Sequence, residues 1–223
     1  MIDTCSGLFK VGNHTVRDVH NYGVIDVSTV IQKSSNVGAT KMALAMAPKQ
    51  LWSMFSRVGF GAASGGRFPG EMTGALSGYE GWGEVERATL SYGYGLSVTP
   101  LQLARAYMVL ADGGQFKPVS FVHLAEPPQG EQVMRPEVAG QVLKMMEAVV
   151  NTGGTGLSAG VPGYRVAGKT GTVHKSQAGG YATNRYLALF AGMAPVSKPR
   201  LVMVVMINEP SSGEYYGGLV AAP

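Results

Sequence analysis

The stretch "VAGKTGTVHK" at residues 166–175 places a lysine, two threonines and a glycine side by side in a segment otherwise typical of a β-strand. Three interpretations fit it in isolation: a hairpin end with the lysine in solvent, a phosphate-binding loop, or the wall of an active site. A phosphate loop is disfavoured because "GKT" at 168–170 lacks the upstream glycine of that motif and is not followed by a helix. "GFGAASG", from Gly59, has the wrong spacing for dinucleotide binding.

The sequence around this stretch predicts three strands joined by hairpins. The strands are "YRVAGKTGTVH", "YLALFAGMAPV" and "RLVMVVMINEP", separated by the polar segment 175–185 and the tight "SKP" at 197–199. Helical patterns lie upstream of them. Helices followed by an antiparallel sheet predict an α+β fold rather than a doubly wound one.

Four upstream segments carry helical signals. Residues 26–46 predict two helices joined at "KSSN", residues 48–59 predict another, and two later segments predict one helix each. The first of these has Thr99 as N-cap and Pro100 at the first helical position; the second runs from about Pro136 to Val150. Residues 59–100 look irregular, which in a compact domain indicates a functional or mobile loop.

Composition limits the classes of function. The 223 residues fit one large domain, and 45% hydrophobic against 14% charged residues indicates a globular protein. A net charge of +4 without a long basic cluster argues against nucleic acid as a partner. Cys5 is the one cysteine, and no Cys/His group has zinc spacing, so neither a metal nor another cofactor is expected. The apolar run at 201–207 is shorter than the roughly 18 residues of a membrane helix.

Two short motifs occur in a fixed order. "SSN" at 34–36 lies at a helix joint, and "KTG" at 169–171 lies on the first of the C-terminal strands. Ser34 and Asn36 alone would suit a helix cap. Together the two motifs match the second and third motifs of the penicillin-recognising serine acyltransferases.

Five longer segments extend this resemblance over nearly the whole chain. They are "IQKSSNVGATKMA", "SYGYGLSVTPLQLARAY", "AGKTGT", "ALFAGMAP" and "YYGGLVAAP". In content and order they resemble the transpeptidase domain of class B penicillin-binding proteins, closest to the division-specific group (penicillin-binding protein 3 type). The resemblance implies a β-lactamase/transpeptidase-like fold. It makes residues 1–223 a partial transpeptidase domain, with a mainly helical part at 26–163 carrying the second motif and C-terminal strands at 164–223 carrying the third.

The implied activity is that of a D,D-transpeptidase, which cross-links septal peptidoglycan through a serine acyl-enzyme and is inhibited by β-lactams. By resemblance, Ser34 relays a proton to the leaving group, the Asn36 amide binds ligand and helps to hold the catalytic lysine, and Lys169 completes the catalytic set. Lys169 can also bind a substrate carboxylate. Strand alternation points Thr170 and Thr172 to one face, where both hydroxyls can meet that carboxylate. Gly171 leaves room for a peptide added along the strand edge.

Three tyrosines complete the expected substrate site. By resemblance, Tyr186, Tyr215 and Tyr216 line the cleft as an aromatic wall; ordinary packing of these rings is the alternative. Ser35, in the middle of its motif where relatives usually have Asp, occupies a position expected to be permissive. His174 is expected at the surface or cleft rim, with no partner identifiable from sequence.

The family's first motif, Ser-x-x-Lys, supplies the nucleophile and its base, and no serine here has a lysine three residues later. The resemblance therefore predicts a fragment clipped at both ends, inactive alone, for which a complementary fragment would carry the nucleophile. Its other expected partners are stem peptides ending in D-Ala-D-Ala, β-lactams and division-complex membrane proteins, at the periplasmic face of the bacterial inner membrane. A β-lactam-sensing module, a β-lactamase and a structural fragment are the alternatives; "SYGYGLSVTPLQLARAY" and "YYGGLVAAP" favour the transpeptidase.

Overall fold

The computed structural model describes residues 1–66, 68–177, 180–211 and 213–223. Its helices are α1 (Val27–Lys33), α2 (Asn36–Leu44), α3 (Pro48–Arg57), α4 (Glu84–Leu90), α5 (Pro100–Ala111), α6 (Pro136–Val150) and α7 (Gly217–Val220). Its strands are β1 (Ile2–Asp3), β2 (Leu8–Val11), β3 (His14–Arg17), β4 (Val24–Ile25), β5 (Gln115–Phe116), β6 (Glu131–Gln132), β7 (Ala167–Gln177), β8 (Gly180–Ala194) and β9 (Leu201–Asn208). None of the helices in these ranges is long and apolar enough to cross a membrane.

The C-terminal strands form one antiparallel sheet in the order β7-β8-β9, as the sequence predicts. Thr170 pairs with Phe190 in the register of β7 and β8, and Leu189 pairs with Met206 in that of β8 and β9. In this sheet β7 pairs with β8 alone, so its outer edge has no partner strand. This edge carries the Lys-Thr-Gly motif.

The first hairpin is longer than predicted. The polar segment 175–185 was expected to separate two strands, yet β7 runs to Gln177 and β8 starts at Gly180; residues 178 and 179 lie outside the described residues. The part of this hairpin beyond His174 is mostly exposed and is held by cross-strand pairing. It therefore lacks the alternation of apolar residues from which strands are predicted.

Helices cover one face of the sheet. Helix α6 packs on β7 and α5 on β9. Leu143 and Met146 of α6 meet Ala167 and Met193 of the sheet in one buried cluster. The helix start and stop signals in the sequence predicted both helices correctly, and each helix buries one apolar stripe.

The opposite face of the sheet is covered by short segments. Phe190 packs there with Ala159, Ala221 and Ala222, which lie in a single helical turn at 157–159 and just after α7. The ring of Phe190 lies so close to Gly168 that a side chain at that position would overlap it. The sheet is thus packed on both faces along the motif.

Two regions were not foreseen. Helix α4 lies within residues 59–100, which were expected to be irregular; Arg67 of that segment lies outside the described residues. Helix α4 has seven residues, several of them charged, and buries Ala88 and Leu90 alone. Its sequence therefore shows little helical periodicity. The first 25 residues form two small ladders, β1 with β4 and β2 with β3. Val11 and Val16 of the second ladder pack against Val37 of α2, so the end of β3 lies beside the second motif.

Candidate active site

A cavity of about 890 Å³ separates the α1–α2 joint from the edge of β7. Its lining includes both motifs: Ser34, Ser35 and Asn36 from one side, and Lys169, Thr170, Gly171 and Thr172 from the other. The two motifs are more than 130 residues apart in the chain. Tertiary folding therefore brings seven of the nine residues predicted to form the site to this cavity, the seventh being Tyr216.

Lys169 and Ser34 make the direct link between the motifs. The Lys169 Nζ donates to Ser34 Oγ at 2.7 Å and to the Thr170 carbonyl oxygen at 2.9 Å. Burial lowers the pKa of Lys169 to about 8. At neutral pH the side chain is still mainly an ammonium group, with its charge held at the cavity wall.

Ser34 ends α1 in the left-handed conformation, with φ 57° and ψ 44°. Its N–H donates to the carbonyl oxygen of Ile31, and the N–H of Ser35 donates to the carbonyl oxygen of Val30. A non-glycine residue in this region costs on the order of 1 kcal/mol, and such residues are concentrated at functional sites. The sharp turn leaves the Ser34 side chain exposed and directed at Lys169.

Ser35, at the middle position that was expected to be permissive, has a structural role. It is 2% exposed and is the N-cap of α2, accepting from the Gly38 N–H at 2.9 Å. Its hydroxyl donates to Asp18 Oδ2 at 2.6 Å, while Asp18 Oδ1 accepts from the Val37 N–H at 3.0 Å. The capping role considered for Ser34 and Asn36 thus belongs to Ser35, and Asp18 was missed because nothing local in the sequence pairs residue 18 with residue 35.

Asn36 lies at the first position of α2 and borders the cavity. Its Nδ2 donates to the main-chain oxygen of Arg17 at 3.0 Å. Arg17 is the last residue of β3 and Asp18 follows it directly, so the end of this strand holds the second motif at two points. The amide oxygen of Asn36 accepts no hydrogen bond from the described residues and remains available to a ligand.

The hydroxyls of Thr170, in the third motif, and of Thr172, which follows it, each make one hydrogen bond. Thr172 Oγ1 accepts from the Gly217 N–H at 2.9 Å, so its own proton can be donated elsewhere. Thr170 Oγ1 lies 2.7 Å from Thr155 Oγ1. Sequence reasoning did not identify Thr155, which also borders the cavity.

The three predicted tyrosines form a continuous stack. The rings of Tyr186 and Tyr215 are 4.1 Å apart and nearly parallel, and those of Tyr215 and Tyr216 are 4.5 Å apart. In the described structure Tyr216 borders the cavity, whereas Tyr186 and Tyr215 lie outside its lining. The wall prediction therefore fits Tyr216 directly, with the other two rings behind it.

His174 has partners that the sequence did not reveal. Its N–H donates to the Tyr94 hydroxyl at 3.0 Å, its Nδ1 lies 2.8 Å from the carbonyl oxygen of Ala182, and its ring contacts Tyr186 at 4.7 Å. Tyr92, two residues before Tyr94, borders the cavity with its hydroxyl 3.0 Å from His14 Nε2. The "SYGYG" segment carried part of the resemblance, but its individual tyrosines were not assigned to the site.

A Lys-Thr-Gly edge strand facing a Ser-Ser-Asn turn across one cleft, between helices and an antiparallel sheet, defines a class of protein. The chain belongs to the penicillin-binding protein transpeptidase domain family, whose model matches residues 4–223. This confirms the resemblance and the fold class inferred from the sequence.

Particular relatives are similar over almost all of the chain. The probable peptidoglycan D,D-transpeptidase PenA of Neisseria flavescens is 42% identical over 96% of this chain and 54% of the relative. The peptidoglycan D,D-transpeptidase FtsI of Escherichia coli strain K12 is 44% identical over 96% of this chain and 37% of the relative. The apo TP domain of penicillin-binding protein 3 from Burkholderia pseudomallei superposes with a TM-score of 0.92 at 44% identity, covering 97% of this chain and 66% of that one. The chain thus spans roughly half or less of the length of these curated relatives.

Proposed function

We propose that this chain is the part of a D,D-transpeptidase that binds the acyl donor and relays its proton during peptidoglycan cross-linking, and that β-lactams occupy the same cleft. The observation that supports this most directly is the 2.7 Å contact of Lys169 Nζ with Ser34 Oγ. It places a cation and a hydroxyl at one point of a cavity lined by both motifs.

The substrate carboxylate fits the β7 side of the cavity. A unit charge pair about 4 Å apart at an effective dielectric near 20 contributes about 4 kcal/mol before desolvation, enough to orient a peptide ending in D-Ala-D-Ala. Thr172 retains a proton to donate to the same carboxylate, because its oxygen accepts from Gly217. The peptide backbone can pair with the outer edge of β7 as an added strand.

Ser34 is suited to the proton relay. Since Lys169 donates to its oxygen, the Ser34 proton can point into the cavity towards the leaving nitrogen. The amide of Asn36, held by Arg17, can bind the donor peptide from the same side. The main-chain N–H of Thr172 would contribute to the oxyanion hole, as the resemblance implies.

The nucleophile is supplied by a Ser-x-x-Lys motif, which these 223 residues do not contain. We assign to the assembled enzyme the cross-linking of septal peptidoglycan at the periplasmic face of the inner membrane, with division-complex membrane proteins as partners. The similarity to relatives named FtsI and penicillin-binding protein 3 supports this assignment.

Carboxylate recognition provides the test. Titration calorimetry would compare an acetyl-Lys-D-Ala-D-Ala peptide with its C-terminal amide, and we expect the free carboxylate to bind about tenfold more tightly or better. Lys169→Ala should remove this preference. Lys175→Ala is the matched control, because Lys175 lies on the same strand outside the cavity lining and pairs with Glu209. Equal affinity of the wild-type chain for the two peptides would refute the proposed function.

A further inference from the structure

The loop at residues 151–156, "NTGGTG", connects the two motifs across the cavity. Lys33, next to Ser34, donates from Nζ to the Gly153 carbonyl oxygen at 2.8 Å. At the other end of the loop, Thr155 Oγ1 lies 2.7 Å from Thr170 Oγ1. Gly153 and Thr155 both border the cavity.

The glycines of this loop allow it to approach so closely. Gly153 has φ +83°, which favours glycine. A Cβ at Gly154 would overlap the Val149 carbonyl oxygen, and one at Gly156 would lie 3.3 Å from Thr170 Cγ2. The Gly156 N–H donates to the carbonyl oxygen of Val149 at 2.9 Å, and this hydrogen bond closes the loop onto the end of α6. The position of Thr155 is therefore set by the backbone.

The two threonine hydroxyls share one hydrogen bond, and this determines what Thr170 can do. A hydroxyl has one proton and two acceptor lone pairs. When Thr155 donates to Thr170, the proton of Thr170 is left for a ligand, and accepting a hydrogen bond makes Thr170 a better donor. Thr172 is in the same state, since it accepts from the Gly217 N–H. Thr170 and Thr172 then each offer a proton in the cavity that Lys169 also lines.

We propose that Thr155 is a further specificity-determining residue of this site, whose hydroxyl orients that of Thr170 so that it donates to the terminal carboxylate of the peptide. This inference rests on the proposed function, because it needs a ligand with a free carboxylate. The ligand class is a peptide or β-lactam whose carboxylate meets three protein donors: the Lys169 ammonium group and the hydroxyls of Thr170 and Thr172. Thr155 acts through Thr170 and is in this sense a positioning residue.

Thr155→Val and Thr155→Ser test the assignment with the same peptide pair. Valine keeps the shape but removes the hydroxyl, so it should weaken binding of the free-carboxylate peptide about 2- to 10-fold and leave the amide peptide unchanged. Serine should restore the wild-type preference. Thr152→Val is the matched control, since Thr152 lies in the same loop and its main-chain oxygen, rather than its hydroxyl, accepts from Gln32.

The outcomes separate the two ideas. Loss of carboxylate preference in Thr155→Val, with rescue by serine, supports the inference. If Thr155→Val keeps the full preference, or weakens both peptides equally, Thr155 has no role in carboxylate recognition even when Lys169→Ala behaves as proposed. If the wild-type chain itself shows no preference, the proposed function fails, and the inference fails with it.

Discussion

Lys169 must be charged to bind a carboxylate, yet its burial disfavours the charge. The lowered pKa, about 8, places the loss of the ammonium group within an accessible pH range. Affinity for the free-carboxylate peptide should be constant below about pH 7 and fall as the pH rises through the pKa of Lys169, which the bound carboxylate itself raises. Calorimetry from pH 6.5 to 9.5 measures this.

Lys169→Met is the control for that titration, because a methionine of similar length does not ionise. Its affinity for the peptide should be low and independent of pH over the same range. A pH profile of the wild type that matches that of Lys169→Met would show that the lysine charge plays no part in binding.

Ser35 illustrates a structural side chain within a functional motif. Its hydroxyl caps α2 and binds Asp18 while being almost fully buried. Ser35→Ala should lower the free energy of unfolding by about 1 to 2 kcal/mol, because a cap and a charge-assisted hydrogen bond are lost together. Urea denaturation followed by circular dichroism gives the value. Ser56→Ala, at an exposed position in α3, should cost nothing or stabilise slightly, and equal losses in both variants would argue against the cap.

At the scale of elements, α7 holds the motif strand in place. The Gly217 N–H binds Thr172, and Gly217 lies so close to the carbonyl oxygens of Gly171 and Leu189 that a Cβ would overlap both. Gly217→Ala should displace α7 from β7 and reduce stability by about 1 to 3 kcal/mol, as overpacking does. Carboxylate affinity should fall with it, because Thr172 loses its partner.

Gly140 provides the comparison for this substitution. It is exposed within α6, and a Cβ there meets nothing within 4 Å. Gly140→Ala should therefore stabilise the chain by about 0.5 to 1 kcal/mol through helix propensity. Chemical denaturation of the two variants in parallel measures whether each substitution raises or lowers the free energy of unfolding. A Gly217→Ala chain as stable as wild type would contradict the close contact.

At the scale of the whole molecule, the proposed function assigns to the two motifs one part of a catalytic apparatus. Loss of the nucleophile in serine hydrolases lowers turnover on the order of 10⁶-fold, so the isolated chain should bind its ligands without forming an acyl-enzyme. A fluorescent penicillin should leave no covalent label on the denatured chain in gel electrophoresis. Addition of a segment carrying Ser-x-x-Lys should restore labelling, and labelling of the chain alone would overturn this expectation.

Much of the fold could be predicted because local patterns specify it. Helices α5 and α6 and the cores of β7, β8 and β9 follow from apolar periodicity, caps and turn residues. Helix α4 and the two N-terminal ladders were missed because short elements with few buried residues leave little periodicity. Helix α4 and the ladder of β2 with β3 are stabilised by packing against α2, which is a non-local contact.

The candidate site was predictable to a similar extent. The two motifs were identifiable from the sequence because their residues and order resemble those of a known family. Carboxylate binding independently requires a cation and hydroxyls, which Lys169, Thr170 and Thr172 supply. Asp18, Thr155 and Tyr94 were not identifiable. Each acts through a partner between 15 and 80 residues away, and nothing local marks such a pairing.

By itself, therefore, the amino-acid sequence determined the class of the chain, through the resemblance of its motifs, and its α+β order, through local periodicity and turn residues. It also indicated which residues are proposed to carry the chemistry. The tertiary structure alone decided that Lys169 contacts Ser34 and that the buried hydroxyl of Ser35 binds Asp18. It also decided that a glycine-rich loop brings Thr155 to Thr170. These relations depend on the distance between atoms far apart in the chain, which only the packing of α1, α6 and β7 determines.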